Sequence, residues 1–178
     1  MVIFSNLNQF NLTKIDLENI IEIDSQNFKG LSIWDKEDFL YYITNKNYLF
    51  SVIKKDGCIV GFCLSFISSF ESELYKIAIK KDFQNLGLAK LLLILHLACL
   101  NLKGIKVSYL EVSINNYKAI NLYKKIGYKE IKKREKYYYN KEDALVMKLE
   151  LRIRGLSNPQ KPLNNGISPP PIRRLKFK

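Results

Sequence analysis

A loop of six residues, Gln84 to Ala89, carries the most recognisable chemistry of this chain. It lies between a strand-like run, Glu73 to Ile79, and a long apolar run with helical character, Leu88 to Lys103. A tight turn from a strand into a helix presents free backbone N–H groups and the positive end of the helix at one point. Such a point binds phosphate, and Gly87 lets the backbone approach the ligand closely.

Periodicity and turn signals predict an α/β fold in the order β-α-α-β-β-β-α-β-α-β-β. The order indicates a mixed central sheet with helices on both faces. The strongest hairpin signal is Asp56-Gly57. The predicted helices are 12–28, 39–44, 88–103 and 117–126, and the predicted strands are 2–9, 48–55, 58–66, 73–80, 107–113, 129–138 and 144–151.

Composition divides the chain into a domain, 1–151, and a basic tail, 152–178. The chain is 47% hydrophobic, which is enough for a core, whereas the tail holds all five prolines and seven Lys/Arg with no acid. We expect the tail to be disordered. It is either an electrostatic tether to RNA or to an acidic partner, or a solvated extension without a role.

Cysteine usage and hydropathy indicate a soluble cytoplasmic protein. Three cysteines, Cys58, Cys63 and Cys99, fit no zinc spacing and are expected to be reduced core thiols. His96 and Cys99 are expected to be a buried structural pair, so no metal site is predicted. No signal peptide is visible, and the apolar run 91–102 is too short to cross a bilayer.

The residues around the loop resemble a known superfamily. Glu73 to Ile79, then Phe83 and the loop, are similar to the central strand and cofactor loop of the GNAT superfamily of N-acetyltransferases, whose loop reads Q/R-x-x-G-x-G/A. Leu110 to Tyr128 resembles the next strand and helix of that superfamily. The ending, Arg134 to Met147, is similar to RimI-like enzymes, the ribosomal-protein-alanine N-acetyltransferases. The resemblance covers residues 10–150.

Three residues depart from the pattern. Lys76 stands where RimI-like enzymes commonly have Asn, on the expected acceptor side. Asn85 replaces a frequent Gly, and Ala89 closes the loop in place of Gly, which the pattern permits. None of these departures removes a proposed catalytic group.

The resemblance implies acetyl-CoA as co-substrate, with its pyrophosphate on the loop and the adjoining helix start. The implied loop residues are Gln84, Asn85, Leu86, Gly87, Leu88, Ala89 and Lys90. Lys80 and Lys81 would offset further phosphate charge. The alternative is that Gly87 only permits a turn from strand to helix.

The pantetheine arm of the co-substrate would lie along the preceding strand. Backbone groups of Ile77, Ala78 and Ile79 would bind it by strand-like hydrogen bonds. The amide of Asn116 would bond the same chain. The alternative is that Ile-Ala-Ile is ordinary strand core, and both interpretations can hold together.

Two residues are candidates for proton transfer. Strand alternation puts Glu111 on one face with Val107 and Tyr109, and a carboxylate among apolar neighbours suits a general base. Tyr123, on the following helix, would give a proton or a hydrogen bond to the departing thiolate. The alternatives are a salt-bridged Glu at a strand end and a core Tyr on an amphipathic helix.

The resemblance implies transfer of acetyl to the N-terminal α-amine of a protein, with a small-subunit ribosomal protein bearing N-terminal Ala as the target. Trp34, Tyr137 and Tyr138 would line the peptide entrance, or the two tyrosines only form an aromatic sheet edge. An α-amine titrates near ~8 and a Lys amine near ~10.4, so a carboxylate deprotonates the α-amine more easily. A small-amine or lysine acetyltransferase, and a non-catalytic module that binds acyl-CoA or the ribosome, remain as alternatives.

Overall fold

The computed structural model describes residues 1–7, 11–138 and 142–151. Its elements follow one another as β-α-α-β-β-β-α-β-α-β-β, the predicted order. The predicted tail, 152–178, and the end of the predicted first strand lie outside the described residues. The elements are β1 Val2–Leu7, α1 Lys14–Asn27, α2 Lys36–Thr44, β2 Tyr48–Lys55, β3 Cys58–Ser68, β4 Glu71–Ile79, α3 Leu88–Leu102, β5 Val107–Ser113, α4 Tyr117–Ile126, β6 Lys129–Tyr138 and β7 Glu142–Glu150.

Capping decides where the first two helices begin. Thr13 caps α1 in a capping box with Asp16, and Asp35 caps α2 in a capping box with Asp38. Each box satisfies backbone donors that a helix start leaves without partners. The predicted start of the second helix at Phe39 is wrong by three residues, because the cap lies at Asp35.

The strands form one mixed sheet in the order β1-β2-β3-β4-β5-β7-β6. The only parallel pair among the described strands is β4–β5, and its pairing runs only from Glu71↔Val107 to Leu74↔Leu110. Beyond Leu74, β4 continues to Ile79, paired with β3 on its other side. The sheet therefore opens between the two strands, and we call this opening the cleft.

A β-bulge at Tyr75 coincides with the start of the cleft. Against β3, Ser65 pairs with Leu74 and Leu64 pairs with Lys76, so Tyr75 is an extra residue. Leu74 packs with the α3 side of the sheet, whereas Tyr75 and Lys76 both contact residues on the α1 side. The bulge therefore resets the alternation of side chains along β4.

Helices cover both faces of the sheet, as predicted. On one face α3 and α4 pack, with Leu92, Leu93, Leu97, Leu100, Ile120 and Tyr123 in that core. On the other face α1 and α2 pack, with Leu17, Ile20, Ile23, Phe39 and Ile43 in that core. Within the described ranges, no helix is long and apolar enough to cross a membrane.

A buried polar network crosses the α3 face. Ser51 Oγ donates to Asn6 Oδ1 at 2.7 Å and lies 2.7 Å from His96 Nδ1, so that nitrogen must carry the proton and donate to Ser51. His96 Nε2 then accepts from Ser65 Oγ at 2.8 Å. Burial lowers the pKa of His96 to about 3, so the ring is neutral. The predicted structural role of His96 agrees with these contacts.

The three cysteines are free, but they are not all core thiols. Cys63 is buried and Cys99 is half-buried, whereas Cys58 is exposed at the hairpin, so the prediction is wrong for Cys58. Cys99 Sγ accepts from Asn6 Nδ2 at 3.7 Å. No group of three or more His, Cys, Asp or Glu residues within 1–7, 11–138 and 142–151 is placed to hold a metal ion.

Candidate active site

The predicted phosphate loop has the backbone shape that binds anions. Asn85 and Gly87 have left-handed φ values of 63° and 78°, and Gly87 is the N-cap of α3 without a side-chain cap. The first-turn N–H groups, at Leu88, Ala89 and Lys90, therefore point out of the helix end. Successive N–H groups in such a turn form a concave anion site, strengthened by the helix dipole.

The side chain of Gln84 braces the loop. Its Nε2 donates to Ile79 O and to Asn27 Oδ1, each at 3.0 Å. Asn27 Nδ2 also donates to Ile79 O at 3.1 Å, and Lys118 Nζ donates to Gln84 Oε1 at 3.4 Å. Gln84 therefore connects the loop to α1, to the end of β4 and to α4.

Three lysines flank the loop, as expected from the sequence. Lys80 forms an ion pair with Glu22 at 3.0 Å, which neutralises part of its charge. Lys81 and Lys90 are exposed. The loop therefore lies in a positive environment that favours a diphosphate.

Ile77, Ala78 and Ile79 lie on the part of β4 that borders the cleft. Since the pairing of β4 with β5 stops at Leu74↔Leu110, one backbone edge of this stretch faces the cleft. An extended chain laid there can pair with that edge as an added strand does. The predicted arm-binding residues thus lie directly before the predicted phosphate loop.

Glu111 is almost buried, with its side chain 7% exposed, and Arg134 Nη1 lies 2.6 Å from its Oε1. Burial alternates along β5 as predicted, with Leu110 and Val112 in the core on the α3 face. Glu111 therefore lies on the opposite face, among side chains of β4 and β6. Arg134 comes from β6, the strand at the edge of the sheet.

A second carboxylate, Glu73, lies beside Glu111 and was not predicted as a site residue. Glu73 pairs with Tyr109 across the parallel strands, two residues before Glu111. Burial, together with the charge of Glu111, raises the pKa of Glu73 to about 7, although Arg134 opposes the shift. A carboxyl that titrates near neutrality next to an ion-paired one is typical of proton-transfer sites.

Tyr123 and Asn116 lie on the α3 side of the cleft. Tyr123 is 7% exposed and packs edge-on against Tyr128, with ring centroids 5.8 Å apart. Asn116 is the N-cap of α4, and its Oδ1 accepts from Ala119 N at 3.1 Å. Glu111 and Tyr123 therefore lie on opposite faces of β5, so a ligand between them has to enter through the cleft.

A series of aromatic side chains runs from Trp34 to Tyr75, and Tyr137 lies close enough to Tyr75 to affect its pKa. Trp34 stacks on Tyr42 at 4.4 Å, and Tyr42 lies 6.4 Å from Tyr75, the bulge residue. Burial raises the pKa of Tyr75, and the charges of Glu73 and Tyr137 add to the shift. Arg134 Cζ lies 5.3 Å from the centre of the Tyr137 ring. An aromatic wall thus runs from the α1–α2 connection to β6, past the two carboxylates.

Tyr138, the third predicted entrance residue, ends β6. Its side chain lies outside the described residues. Its role at a peptide entrance stays a prediction.

The acetyltransferase (GNAT) family matches residues 17–128, well over half of the chain. The chain belongs to this family. This GNAT protein is therefore an acetyl-transferring enzyme, with acetyl-CoA as its co-substrate. The N–H-rich loop, the positive flanks and the open edge of β4 fit the diphosphate and the extended arm of that donor.

Relatives and a solved structure agree with this assignment. The GNAT protein is 31% identical over 123 residues to the ribosomal protein bS18-alanine N-acetyltransferase of Salmonella typhimurium, with 67% of this chain and 82% of the relative covered. It is 29% identical over 153 residues to an N-alpha-acetyltransferase of Sulfurisphaera tokodaii, covering 77% and 89%. The crystal structure of the ribosomal-protein-S18-alanine N-acetyltransferase from Escherichia coli superposes with TM-score 0.73 at 27% identity, covering 89% of this chain and 100% of that one.

Proposed function

We propose that this acetyltransferase acetylates the N-terminal α-amine of a protein, and that its target is a small-subunit ribosomal protein with N-terminal Ala. The names of the Salmonella typhimurium and Sulfurisphaera tokodaii relatives support an N-terminal amine as acceptor. The observation that carries the proposal is the pair of Glu73 and Glu111 beside the aromatic wall. A small acceptor such as a polyamine needs no such extended wall.

The acidity of the acceptor favours an α-amine over a lysine. The amine must lose a proton before it can attack, and Glu73, with a pKa of about 7, is the nearby group matched to that task. An α-ammonium near ~8 lies about one unit above this value, whereas a lysine ammonium near ~10.4 lies more than three units above it. Each unit corresponds to about 1.4 kcal/mol.

In the proposed reaction the amine nitrogen attacks the acetyl carbonyl carbon, so a C–N bond forms and the C–S bond breaks. Glu73 and Glu111 act as a coupled pair that takes the proton from the amine, directly or through water. Arg134 forms an ion pair with Glu111, and burial together with the charge of Glu111 raises the pKa of Glu73, so Glu73 is basic enough to accept a proton. The backbone N–H of Ile79 is the proposed donor to the carbonyl oxygen.

Tyr123 is proposed to stabilise the leaving thiolate of CoA. Its hydroxyl donates a proton or a hydrogen bond to the sulfur. An unperturbed phenol titrates near ~10 and a thiol near ~8.5, so a full transfer between two such groups is slightly uphill. Cys63 pairs with Ile77 across β3 and β4, and burial raises the pKa of its thiol well above the usual value. A buried protonated thiol is a poor nucleophile, so we propose direct attack without an acetyl-enzyme.

Acceptor specificity is tested with acetyl-CoA and three acceptors of matched concentration: an Ala-initiated peptide, the same peptide with a blocked N-terminus and an internal Lys, and a polyamine. We expect kcat/KM to be highest for the free Ala N-terminus by at least tenfold. A preference for the polyamine or the internal Lys would overturn the proposal. Tyr123→Phe should lower kcat with little change in the KM of either substrate, while the neighbouring variant Tyr128→Phe leaves kcat unchanged.

A further inference from the structure

A buried ion pair joins β4 to the connection between α1 and α2. Lys76 Nζ lies 2.7 Å from Asp24 Oδ1, and the two side chains are 5% and 0% exposed. Lys76 Nζ also donates to Ser32 O at 2.7 Å. The same ammonium therefore binds the last part of α1 and a backbone carbonyl of the connection that follows it.

The other oxygen of Asp24 holds the same connection at a second point. Asp24 Oδ2 accepts from Trp34 N at 2.9 Å. Two backbone groups, Ser32 O and Trp34 N, are thus tied to one ion pair. Residues 28–35 contain only a short 3-10 turn, Gly30–Ser32, so these bonds replace regular secondary structure in fixing their position.

Aromatic rings enclose the ammonium. Lys76 Nζ lies 3.8 Å from the centre of the Trp34 ring and 4.4 Å from that of Phe28. Cation–π attraction adds to the hydrogen bonds and orients the Trp34 ring over the charge. Because oxygens and ring faces surround the ammonium, Lys76 is held within the protein and is not itself available to an acceptor.

The environment works against the charges of the pair. Burial lowers the pKa of Lys76 to about 8 and raises the pKa of Asp24. Buried ion pairs often give little net stability compared with apolar residues, but they can specify one arrangement. Geometry, more than stability, is therefore the expected contribution of this pair.

We propose that Lys76 is a positioning residue for the acceptor. With Asp24 it fixes Trp34, which belongs to the aromatic wall, to the strand that borders the cleft. This inference rests on the proposed function for the role of the wall. The next residues of β4, Ile77 to Ile79, border the cleft, so the tether also sets the spacing between acceptor and donor. Loss of the tether should weaken acceptor binding and leave donor binding intact.

The test uses the double variant Lys76→Met with Asp24→Asn, which removes both charges and leaves no buried ion without a partner. Its matched control is Lys54→Met with Asp16→Asn, since Lys54 Nζ and Asp16 Oδ1 form another α1 ion pair at 2.6 Å, with β2. Trp34 is the only tryptophan of the chain, so acrylamide quenching of its fluorescence reports the connection directly.

For the Lys76 double variant we expect at least a twofold larger quenching constant and at least a fivefold larger KM for the acceptor peptide. The kcat and the calorimetric Kd of acetyl-CoA should stay within twofold of wild type. The control double variant should match wild type in the quenching constant, the acceptor KM, kcat and the acetyl-CoA Kd. Unchanged quenching and KM in a variant that still binds acetyl-CoA would overturn the inference, as would an equal loss of acetyl-CoA affinity.

The single variant Asp24→Asn is a second form of the test, and it leaves the buried Lys76 ammonium without its carboxylate, so it should lose more stability than the double variant. Its quenching constant and acceptor KM should rise as in the double variant, and values equal to wild type in both contradict the tether. Should wild type prefer an amine other than the Ala-initiated peptide, the proposed function fails. The quenching comparison, with KM measured for the preferred amine, then still decides the role of Lys76.

Discussion

The two sides of the cleft are built in different ways. The proposed donor side consists mainly of backbone groups from one continuous segment, the end of β4, the loop and the first turn of α3, with side chains of α4 beside them. The proposed acceptor side consists of side chains from α1, α2, β4, β5 and β6, with Glu73, Glu111 and Arg134 at its centre. A backbone site tolerates many side chains, whereas a side-chain site depends on each residue and on the packing behind it.

This difference predicts how substitutions divide between the two substrates. Acceptor-side substitutions should change kcat or the acceptor KM, often strongly. Substitutions on the proposed donor side should change acetyl-CoA affinity by smaller amounts, because most of its groups belong to the backbone. The predictions below test this division, beginning with the largest expected effect.

Glu73→Gln should lower kcat/KM for the acceptor by at least about 10²-fold, since general-base catalysis contributes about 10²–10⁴. The wild-type profile of kcat/KM should rise with pH through about 7 as Glu73 loses its proton, and again near ~8 as the α-amine does. The variant should lose the lower rise. Glu71→Gln, an exposed position two residues earlier on β4, is the control and should match wild type.

The acetyl-CoA Kd of Glu73→Gln, measured by calorimetry, should stay within about twofold of wild type. A large loss of donor affinity in this variant would show that the two sides are not separable. Retention of the lower pH rise would instead assign it to another group.

His96→Gln should leave both sides of the cleft unchanged and lower the free energy of unfolding by about 1–3 kcal/mol, the cost of disturbing buried hydrogen bonds. Wild-type stability should also fall as pH decreases from about 6.5 towards 3. In that window the unfolded chain binds a proton at His96 that the folded chain, with a pKa of about 3, does not.

Denaturant titrations at several pH values measure this dependence. The difference between wild type and His96→Gln should shrink as the pH falls. Tyr128→Phe is the control, because it loses the buried bond to Ser108 Oγ at 2.7 Å without removing a group that titrates in this window. A pH-independent difference for His96→Gln would mean that the folded ring takes up the proton as easily as the unfolded one.

Gly87→Ala should raise the acetyl-CoA Kd about fivefold and leave the acceptor KM unchanged. A side chain at Gly87 meets no atom within 4 Å, but the φ of 78° costs an L-residue about 1 kcal/mol. Gly57→Ala is the matched control, since Gly57, at the β2–β3 hairpin, has a φ of 85° and an added Cβ there also meets no atom within 4 Å. It should lower stability by a similar amount with no effect on acetyl-CoA. Equal acetyl-CoA affinities of Gly87→Ala and wild type would mean that the loop is not part of the donor site.

Asn116→Asp gives the smallest expected effect. Its carboxylate preserves the N-cap of α4, so stability should stay within about 0.5 kcal/mol. The Nδ2 donor is lost, which should weaken acetyl-CoA about threefold if it bonds the arm. Asn116→Ala removes both the cap and the donor, so it should lose stability as well. Unchanged acetyl-CoA binding in Asn116→Asp would leave Asn116 as a cap alone.

The proposed donor side can be predicted from the sequence because its signals are local. The pattern from Gln84 to Ala89, with a strand before and a helix after it, needs no knowledge of distant contacts. The element order and four element ranges, 48–55, 107–113, 117–126 and 129–138, also match the structure residue for residue. Local turn chemistry and periodicity decide such features.

The acceptor side was predicted only in part because its contacts join distant residues. Glu111 and Trp34 are among the residues predicted from the sequence, whereas Glu73 lies beside Glu111 only through the register of a parallel pair. Lys76 and Asp24 are 52 positions apart, and their contact depends on the bulge at Tyr75. Periodicity alone fixes neither a register nor a bulge.

The extra residue at Tyr75 makes β4 two half-strands with independent registers. The half before it pairs with β5, and the half after it borders the cleft with the edge that we propose for the acetyl-CoA arm. Deleting Tyr75 would restore a regular register between β3 and β4, and we expect this to change the edge that Ile77 to Ile79 present to the cleft. Acetyl-CoA affinity would then fall, although the sequence of the phosphate loop is unchanged.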